Sequence, residues 1–378
     1  MNFSFSEQDK QRFQEMENTL IKEKKLLEPD AIQTSEDIRS ALMTFQKILF
    51  PLDYLNNLKS MKGGMVNTLE MMRTFARYQP SLFLGVEYSF RIFGEMILWA
   101  TDDKTRNNLC HAIGIKNFPD QTMIGSIAIC EDFVETDTHS SELNATIVDK
   151  KIVLNGQKQF VVNAEIADWI AITGNIDGNG AIFIVSPQTK GFDTKVIQHN
   201  KTFPDLSIAT IQLNNCEIDQ KQVINNVQSK NLVQHVHLFE NLAYCACSLG
   251  MIDQCIETSK SFAQNHQSEK KPMFVHQAVG FSLAEMLTLK QTAELLAFRA
   301  AWALETNDPE KQVLNQCAKV FCTEAAEKIA SKAMDVLGGQ VFSTHPIVDQ
   351  ALQNSKFSQI AGTSSHLARV SIGDMVMK

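Results

Sequence analysis

Residues 233–263 read VQHVHLFENLAYCACSLGMIDQCIETSKSFA, and this stretch sets the pattern for the second half of the chain. Its apolar and aromatic positions recur at steps of three and four, which is the spacing of one face of an α-helix. The positions on that face are Val233, Val236, Tyr244, Cys247 and Met251, with Glu240 among them. The pattern predicts a long helix whose buried face carries a single carboxylate.

Glu240 is the first candidate functional residue. An ionised carboxylate on a core-facing stripe is costly unless a partner accompanies it. We therefore expect its pKa to rise toward neutrality, which suits a general base. Two other interpretations stay open at this point: Glu240 forms a structural pair with a buried partner, or the helix is rotated so that the carboxylate reaches solvent.

Composition and charge limit the class of protein. The chain has 378 residues, of which 44% are hydrophobic and 21% charged, and this indicates a globular protein of two or three lobes. Its net charge of −8 argues against a nucleic-acid partner, because such partners need a basic face. The first residues form no apolar signal segment and no apolar run is long enough to span a bilayer. We expect a cytoplasmic protein with no membrane partner.

The cysteines and histidines of this stretch indicate packing and surface positions. No CxxC pair occurs among the eight cysteines and no His/Cys cluster has zinc spacing, so we expect no metal ligands. We therefore expect the cysteines to be free thiols that pack as small hydrophobic side chains in a reducing compartment. His235 and His237 flank Val236 and would point to different sides of a helix, which predicts solvated or capped histidines.

The chain is organised as a helical part, a β part and a second helical part. Between Met123 and about Glu217, short β-branched runs alternate with turn signals, which predicts about seven strands. The turn signals are Asn155-Gly156, residues 177–180 and Gly191.

Helical periodicity fills the rest of the sequence, and its last segment covers residues 347–375. We therefore assign residues 1–122 to an N-terminal α-helical domain, 123–227 to a middle β-domain and 228–378 to a C-terminal helical domain. The fold class predicted by this order is α+β.

Short motifs along the chain carry a family resemblance. Residues 152–158 (IVLNGQK) are followed by Asn163 and Ala164, and residues 336–339 (VLGG) and 361–364 (AGTS) lie near the C-terminus. Together with the α, β, α order, these motifs resemble the acyl-CoA dehydrogenase family. The resemblance implies that family's fold, with an N-terminal all-α domain, a middle β-barrel or β-sandwich domain and a C-terminal four-helix bundle.

The resemblance implies an oxidoreductase that acts on an acyl thioester of CoA or of an acyl carrier protein. In the family a carboxylate removes the α-proton while FAD accepts the β-hydride. Most members place this Glu directly before the final Gly-Thr, where this chain has Ala361. The isovaleryl-CoA and long-chain branches place it ten residues before a Gly, which is the spacing of Glu240 and Gly250. Glu240 is therefore the expected catalytic base. The expected substrate-binding residues are Thr136, Asn241, Tyr244, Ala361 and Gly362.

The family's FAD-binding positions are also carried over by the resemblance. They are Ile129, Cys130, Thr136, Phe160, Val162, His266, Gln277, Gly338, Gly339 and Thr363. Some of the motifs depart from the family pattern: Glu135 replaces a glycine, Val162 replaces a hydroxyl residue, and His266 replaces an arginine that faces the pyrophosphate. Losing that cation is expected to weaken FAD binding.

Three classes of function are compatible with these residues. The first is an FAD-dependent dehydrogenase, which would pass electrons to an electron-transfer flavoprotein. The second is a flavin-free acyl-thioester enzyme, such as an isomerase, dehydratase, cyclase or decarboxylase that works through an enolate. The third is a degenerate subunit of a heteromeric acyl-CoA dehydrogenase. The resemblance also implies a homodimer or homotetramer.

Overall fold

The structure is a computed structural model that describes residues 5–23, 32, 34–49, 64–116, 122–131, 141–197, 202–268 and 270–377. Helices come first, a sheet follows and helices return, which confirms the predicted α+β order. Within these ranges no helix has both the length and the apolar character needed to cross a membrane.

Six α-helices are described in the N-terminal part, and side chains cap the first and the last of them. They are α1 (Glu7–Lys22), α2 (Ser35–Leu49), α3 (Met65–Tyr78), α4 (Pro80–Val86), α5 (Phe93–Ala100) and α6 (Asp103–Ile113). The Ser6 hydroxyl accepts a hydrogen bond from the Asp9 amide at the start of α1, and Asp102 caps α6 in the same way. Gly114 ends α6 in the left-handed conformation, at φ +76°.

A π-helical turn, Glu87–Ile92, joins α4 to α5. Its residues are buried, and the Arg91 guanidinium donates to the Glu87 carboxylate at 2.8 Å. A π turn inserts an extra residue into a helix and so changes the direction of the side chains around it. Here the Tyr88 hydroxyl reaches the carboxylate of Glu240.

The described residues in the middle of the chain form an eight-stranded sheet. Its strands are β1 (Gly125–Ala128), β2 (Asn144–Val148), β3 (Lys151–Val162), β4 (Trp169–Ile176), β5 (Asn179–Val185), β6 (Phe192–Val196), β7 (Ile208–Asp219) and β8 (Val223–Ile224). Their order is β6-β7-β3-β2-β4-β5-β8, with β1 beside β4. The pairs are antiparallel except that β1 and β2 run parallel to β4.

The sheet corrects the sequence expectation in two places. Asn155-Gly156 forms no turn, because both residues lie within β3, where a shift of pairing register marks a bulge and Gly156 has φ +144°. The hairpin turn lies instead at Asp149-Lys150, where both residues have the positive φ that a tight two-residue turn requires. Strand β8 has only two residues, too few for periodicity to predict.

The C-terminal helices are α7 (Ser229–Asn265), α8 (Gln277–Glu305), α9 (Lys311–Leu337), α10 (Pro346–Ile360) and α11 (Ser365–Val376). A short antiparallel pair, β9 (Gln267–Ser268) with β10 (Lys271–Pro272), follows α7. The predicted long helix is α7, and its middle is buried because α3, α8 and α9 pack around it.

The prediction of a single helix over residues 347–375 is wrong. The chain leaves helical geometry between Ile360 and Ser365. Gly362 adopts φ +61°, a conformation that ends helices, and the Ser364 hydroxyl then accepts from the Leu367 amide to begin α11. This break places Gly362 against Glu240.

Helices α3 and α7 approach so closely that residue 250 has no room for a side chain. A Cβ on Gly250 would lie 2.5 Å from the Arg77 backbone nitrogen and 2.8 Å from the Ala76 carbonyl carbon. Beside this contact, Arg73 donates to both oxygens of Asp253, at 2.7 and 2.9 Å. Close packing and a buried ion pair therefore join the N-terminal helices to α7.

Candidate active site

A cavity of about 790 Å³ lies between the sheet and the C-terminal helices. Its volume falls in the range of small-ligand sites, about 300–1,000 Å³. Much of the sheet-side wall is apolar and includes Ile127, Ile129, Phe160 and Val162. Helix α7 contributes Val233, His237, Glu240 and Tyr244, and the end of α10 contributes Phe357, Ile360, Ala361 and Gly362.

Glu240 lies in the wall of this cavity with only 6% of its surface exposed. Its Oε1 accepts a hydrogen bond from the Tyr88 hydroxyl, which comes from the π turn. Its Oε2 lies 2.7 Å from His237 Nδ1, one turn earlier on α7. The Tyr88 hydroxyl is in turn 3.3 Å from that of Tyr244. The carboxylate is therefore buried, partnered and in contact with the cavity.

The expectation of a raised pKa for Glu240 is wrong. Burial pushes the pKa of Glu240 upward, but the hydrogen bond and charge of His237, the Tyr88 hydroxyl and the charge of Lys319 together hold it below its usual value. Burial and the neighbouring carboxylate raise the pKa of Tyr88 and of Tyr244 well above the usual value, so both hydroxyls stay protonated. The lowered pKa favours the ionised form of Glu240 at neutral pH.

Gly362 packs directly against Glu240. A Cβ at this position would lie 2.8 Å from Glu240 Oε2, closer than real contacts allow, and the backbone is left-handed. The buried Lys319 holds this segment to α9, since its Nζ donates to the carbonyl oxygens of Gln359, at 3.3 Å, and of Thr363. Burial lowers the pKa of the Lys319 amine to about 8, although the Glu240 charge opposes this shift.

An ion pair joins the IVLNGQK motif on β3 to the residue that follows Cys130. Lys158, fully buried at the end of the IVLNGQK motif, pairs with Glu131 beside Cys130. Its Nζ also donates to the Ile129 carbonyl and to Ser141 Oγ, both at 3.1 Å. Burial raises the pKa of Glu131, but Lys158 and the donors around it bring that pKa below its usual value. The pair fixes β3 against the strand end that carries Ile129 and Cys130.

Part of the sequence is similar to known proteins. The sequence model of the acyl-CoA dehydrogenase C-terminal domain matches residues 232–377. Benzylmalonyl-CoA dehydrogenase of Aromatoleum aromaticum is 25% identical over 260 residues, which cover 67% of this chain and 68% of that protein. The C-terminal part of the chain is therefore similar to the acyl-CoA dehydrogenase C-terminal domain.

Solved acyl-CoA dehydrogenase structures share the whole fold. Butyryl-CoA dehydrogenase from Megasphaera elsdenii superposes with a TM-score of 0.86 at 18% identity, covering 100% of both chains. Glutaryl-CoA dehydrogenase from Mycobacterium smegmatis, solved in complex with FADH₂, superposes with a TM-score of 0.82 at 15% identity. That match covers 98% of this chain and 95% of the other.

The cavity is lined by most of the residues that the acyl-CoA dehydrogenase resemblance assigned to substrate binding. Several of the residues assigned to FAD binding line it as well. Tyr244, Ala361 and Gly362 lie beside Glu240, and Ile129, Cys130, Phe160 and Val162 lie on the sheet side. Phe160 has φ +53° and is 43% exposed, and it lies where β3 is bulged. Thr136 lies outside the described residues.

Other assigned residues lie elsewhere in the described structure. Asn241 is buried between α7 and α9, where its amide donates to Asn315 Oδ1 at 3.0 Å, and it does not line the cavity. His266 stacks on Phe262, with ring centroids 3.8 Å apart. Gln277 begins α8, Gly338 and Gly339 follow α9, and the Thr363 carbonyl accepts from Lys319. A flavin role for these residues stays a prediction of the acyl-CoA dehydrogenase resemblance.

Two residues that contact Glu240, Tyr88 and His237, were not among the predicted site residues. Of the predicted alternatives, solvated or capped histidines, the solvated one is wrong, because His237 pairs with Glu240 while His235 stacks on Trp99 and lies 3.4 Å from Glu95. The signal for His237 was its spacing, since residues three apart share a helix face. No sequence spacing indicated Tyr88, because it belongs to a π turn that lies far from Glu240 in the sequence.

The cavity fits the ring of a flavin and an acyl group better than it fits phosphates. Ile127, Ile129, Phe160 and Val162 offer an apolar wall. Among the described lining residues no Lys or Arg occurs, whereas Glu131, Glu142 and Glu240 are present. A flavin ring could therefore rest on the sheet side, but its pyrophosphate finds no cation in this part of the wall.

Proposed function

We propose that this chain acts on an acyl thioester and that Glu240 removes the α-proton. One observation carries this proposal: a buried, ionised carboxylate, held at both oxygens, lies in the wall of a cavity with a large apolar component. A base fixed in this way meets the C–H bond without first having to be oriented. Family members named for CoA thioesters, such as benzylmalonyl-CoA dehydrogenase, support this substrate class.

We further propose that Ile129, Cys130, Phe160 and Val162 hold FAD on the sheet side of the cavity, opposite Glu240 on α7. Bound FAD would supply the acceptor for the β-hydride. Glu240 would take the proton on its carboxylate, while Tyr88 and His237 keep that carboxylate facing the substrate. The apolar wall would exclude water from the acyl group. Either CoA or an acyl carrier protein would present the thioester.

The absence of Lys and Arg from the described cavity wall favours a second candidate. In that candidate Glu240 forms an enolate from the thioester, and the product leaves without oxidation. The apolar wall and the base would serve an isomerase, dehydratase, cyclase or decarboxylase equally well. The two candidates share the proton step and differ in whether a hydride acceptor is needed.

The purified chain, with and without added FAD, would be mixed with a panel of straight and branched acyl-CoA thioesters. We expect bleaching of the flavin absorbance and, in D₂O, deuterium at the α-carbon of recovered thioester. Deuterium exchange in a protein that binds no flavin would replace the first candidate by the second. The absence of exchange with every CoA and carrier-protein thioester would contradict both.

Partners are part of the same proposal. A redox-active form would pass electrons to an electron-transfer flavoprotein. Large apolar side chains on the C-terminal helices are exposed, among them Phe281, Leu295, Ile360 and Val370. Such a surface supports a homodimer or homotetramer built through these helices, and a heteromer with another family member would use the same surface.

The tight contact at Gly362 gives a testable prediction. Gly362→Ala would place a methyl group against Glu240 Oε2 and strain a left-handed residue, at φ +61°. We expect α-proton exchange to slow by about 10- to 100-fold, because small misplacements of a catalytic group are costly. The free energy of unfolding should fall by about 1–2 kcal/mol.

Gly114→Ala is the matched control for that variant. Gly114 is also left-handed, at φ +76°, but nothing lies within 4 Å of a Cβ built on it. It should lose a similar amount of stability and exchange α-protons at the wild-type rate. Wild-type exchange in Gly362→Ala would show that Glu240 is not held where catalysis needs it.

A further inference from the structure

Of the two described residues that hydrogen-bond to the Glu240 carboxylate, His237 is the more exposed. Its Nδ1 is 2.7 Å from Glu240 Oε2, and its side chain is 26% exposed, against 8% for that of Glu240. An ionised carboxylate only accepts hydrogen bonds, so Nδ1 carries the hydrogen at this contact. The other oxygen, Oε1, accepts from Tyr88. The two carboxylate oxygens are therefore held from two different elements.

The remaining groups that face Glu240 act differently from His237. Tyr88 and Tyr244 are fully buried neutral donors, since burial raises the pKa of each hydroxyl well above its usual value. Lys319, on α9, directs its Nζ to the carbonyl oxygens of Gln359 and Thr363 and influences Glu240 by charge alone. Of the described residues that hydrogen-bond to the carboxylate, His237 is the one within α7 itself.

We propose that His237 is a positioning residue, whose Nδ1–H fixes the Glu240 carboxylate and sets the pH at which that carboxylate becomes protonated. This inference rests on the proposed function of Glu240 as the base. While the donor is in place, the ionised form is favoured and the base stays active in mild acid. Without the donor, burial dominates, and Glu240 takes up a proton at higher pH.

Two variants distinguish the effect of the N–H donor from the effect of the imidazole ring. His237→Leu removes the N–H. His237→Asn keeps an N–H at the same number of bonds from the backbone. The pH dependence of α-deuterium incorporation into butyryl-CoA would be followed by mass spectrometry. We expect the acid limb of His237→Leu to lie at least about one pH unit above that of wild type. The limb of His237→Asn should lie close to that of wild type, and all rates should converge at alkaline pH.

A second readout does not depend on turnover. The infrared difference between wild type and Glu240→Gln identifies the carboxyl stretching band of Glu240. The intensity of this band would then be followed as a function of pH in each His237 variant. The same upward shift of the midpoint is expected in His237→Leu and not in His237→Asn. His235→Asn, two residues earlier on α7 and outside the cavity wall, serves as the control and should titrate as wild type.

The outcomes distinguish this inference from the proposed function. An unchanged carboxyl midpoint in His237→Leu, or equal shifts in both His237 variants, would overturn the role of the N–H donor. A shifted midpoint in a protein that exchanges no α-protons would support the contact and contradict the proposed function instead.

Discussion

Replacing Glu240 by glutamine is expected to slow α-proton removal by about 10²–10⁴-fold, the contribution typical of a positioned general base. Glutamine has nearly the same shape, and its carbonyl oxygen can still accept from Tyr88. It cannot take a proton from carbon at neutral pH, so the loss is chemical and not structural. The measurement is deuterium exchange into an acyl thioester, together with the melting temperature and the flavin content.

Glu257→Gln is the matched control on the same helix. Glu257 is exposed and pairs with Arg77 through a hydrogen bond of 2.6 Å, so its loss should cost less than about 1 kcal/mol. That variant should exchange α-protons at the wild-type rate. If Glu240→Gln retained the wild-type rate, another group would have to be the base, and the proposed mechanism would be abandoned.

Arg73→Met is expected to produce the largest loss of stability, about 3–5 kcal/mol, because it breaks a buried ion pair and leaves charges without their partner. Arg73 donates to both oxygens of Asp253 and also to Glu294, at 3.1 Å. Lys290, 2.7 Å from Asp253, would remain as the ion-pair partner of that carboxylate among the residues that the structure describes. Denaturant unfolding at neutral pH measures the change.

The effect of Arg73→Met should depend on pH. Burial raises the pKa of Asp253, but the hydrogen bonds and charges of Arg73 and Lys290 bring it below its usual value. A carboxylate with a lowered pKa contributes stability above its unfolded pKa and loses that contribution as the pH falls through its folded pKa. The difference between wild type and variant should therefore narrow below about pH 4.

Arg77→Met, one turn later on α3, provides the control for Arg73→Met. Its partner Glu257 is largely exposed, so this variant should lose less than about 1 kcal/mol. Equal losses of unfolding free energy in the two variants would mean that removal of any arginine from α3 destabilises the contact with α7. The buried ion pairs of Arg73 would then contribute no more to stability than the exposed pair of Arg77.

Periodicity and family resemblance predicted most of the fold. The long helix around Glu240, the α, β, α order and the β-rich middle are all present. The errors arose where a single local contact decides the structure. Asn155-Gly156 reads as a turn, but pairing of β3 with β7 continues through it as a bulge. Residues 347–375 read as one helix, but Gly362 and Ser364 divide it.

The sequence predicted those residues of the candidate site that lie on a single helix. It did not predict contacts between elements that are far apart in the sequence. Spacing on α7 placed Glu240 and Tyr244 on the cavity side. The pKa of Glu240 was expected to rise because burial was visible in the pattern, whereas its donors were not. Tyr88 lies far from Glu240 in sequence, and the Lys319 contact needs the break after α10. Only the folded chain brings them together.

The π turn before α5 has a consequence for comparing this chain with its relatives. Each α-helical residue advances the helix by about 100°, so one additional residue rotates the preceding side chains by that amount relative to those of α5. A relative whose helix is regular throughout would present a different side chain at the place that Tyr88 occupies. Alignment by position alone would therefore pair residues that face different ways. The role of a residue in a relative can be assigned to this chain across Glu87–Ile92 only when the extra residue of the π turn is taken into account.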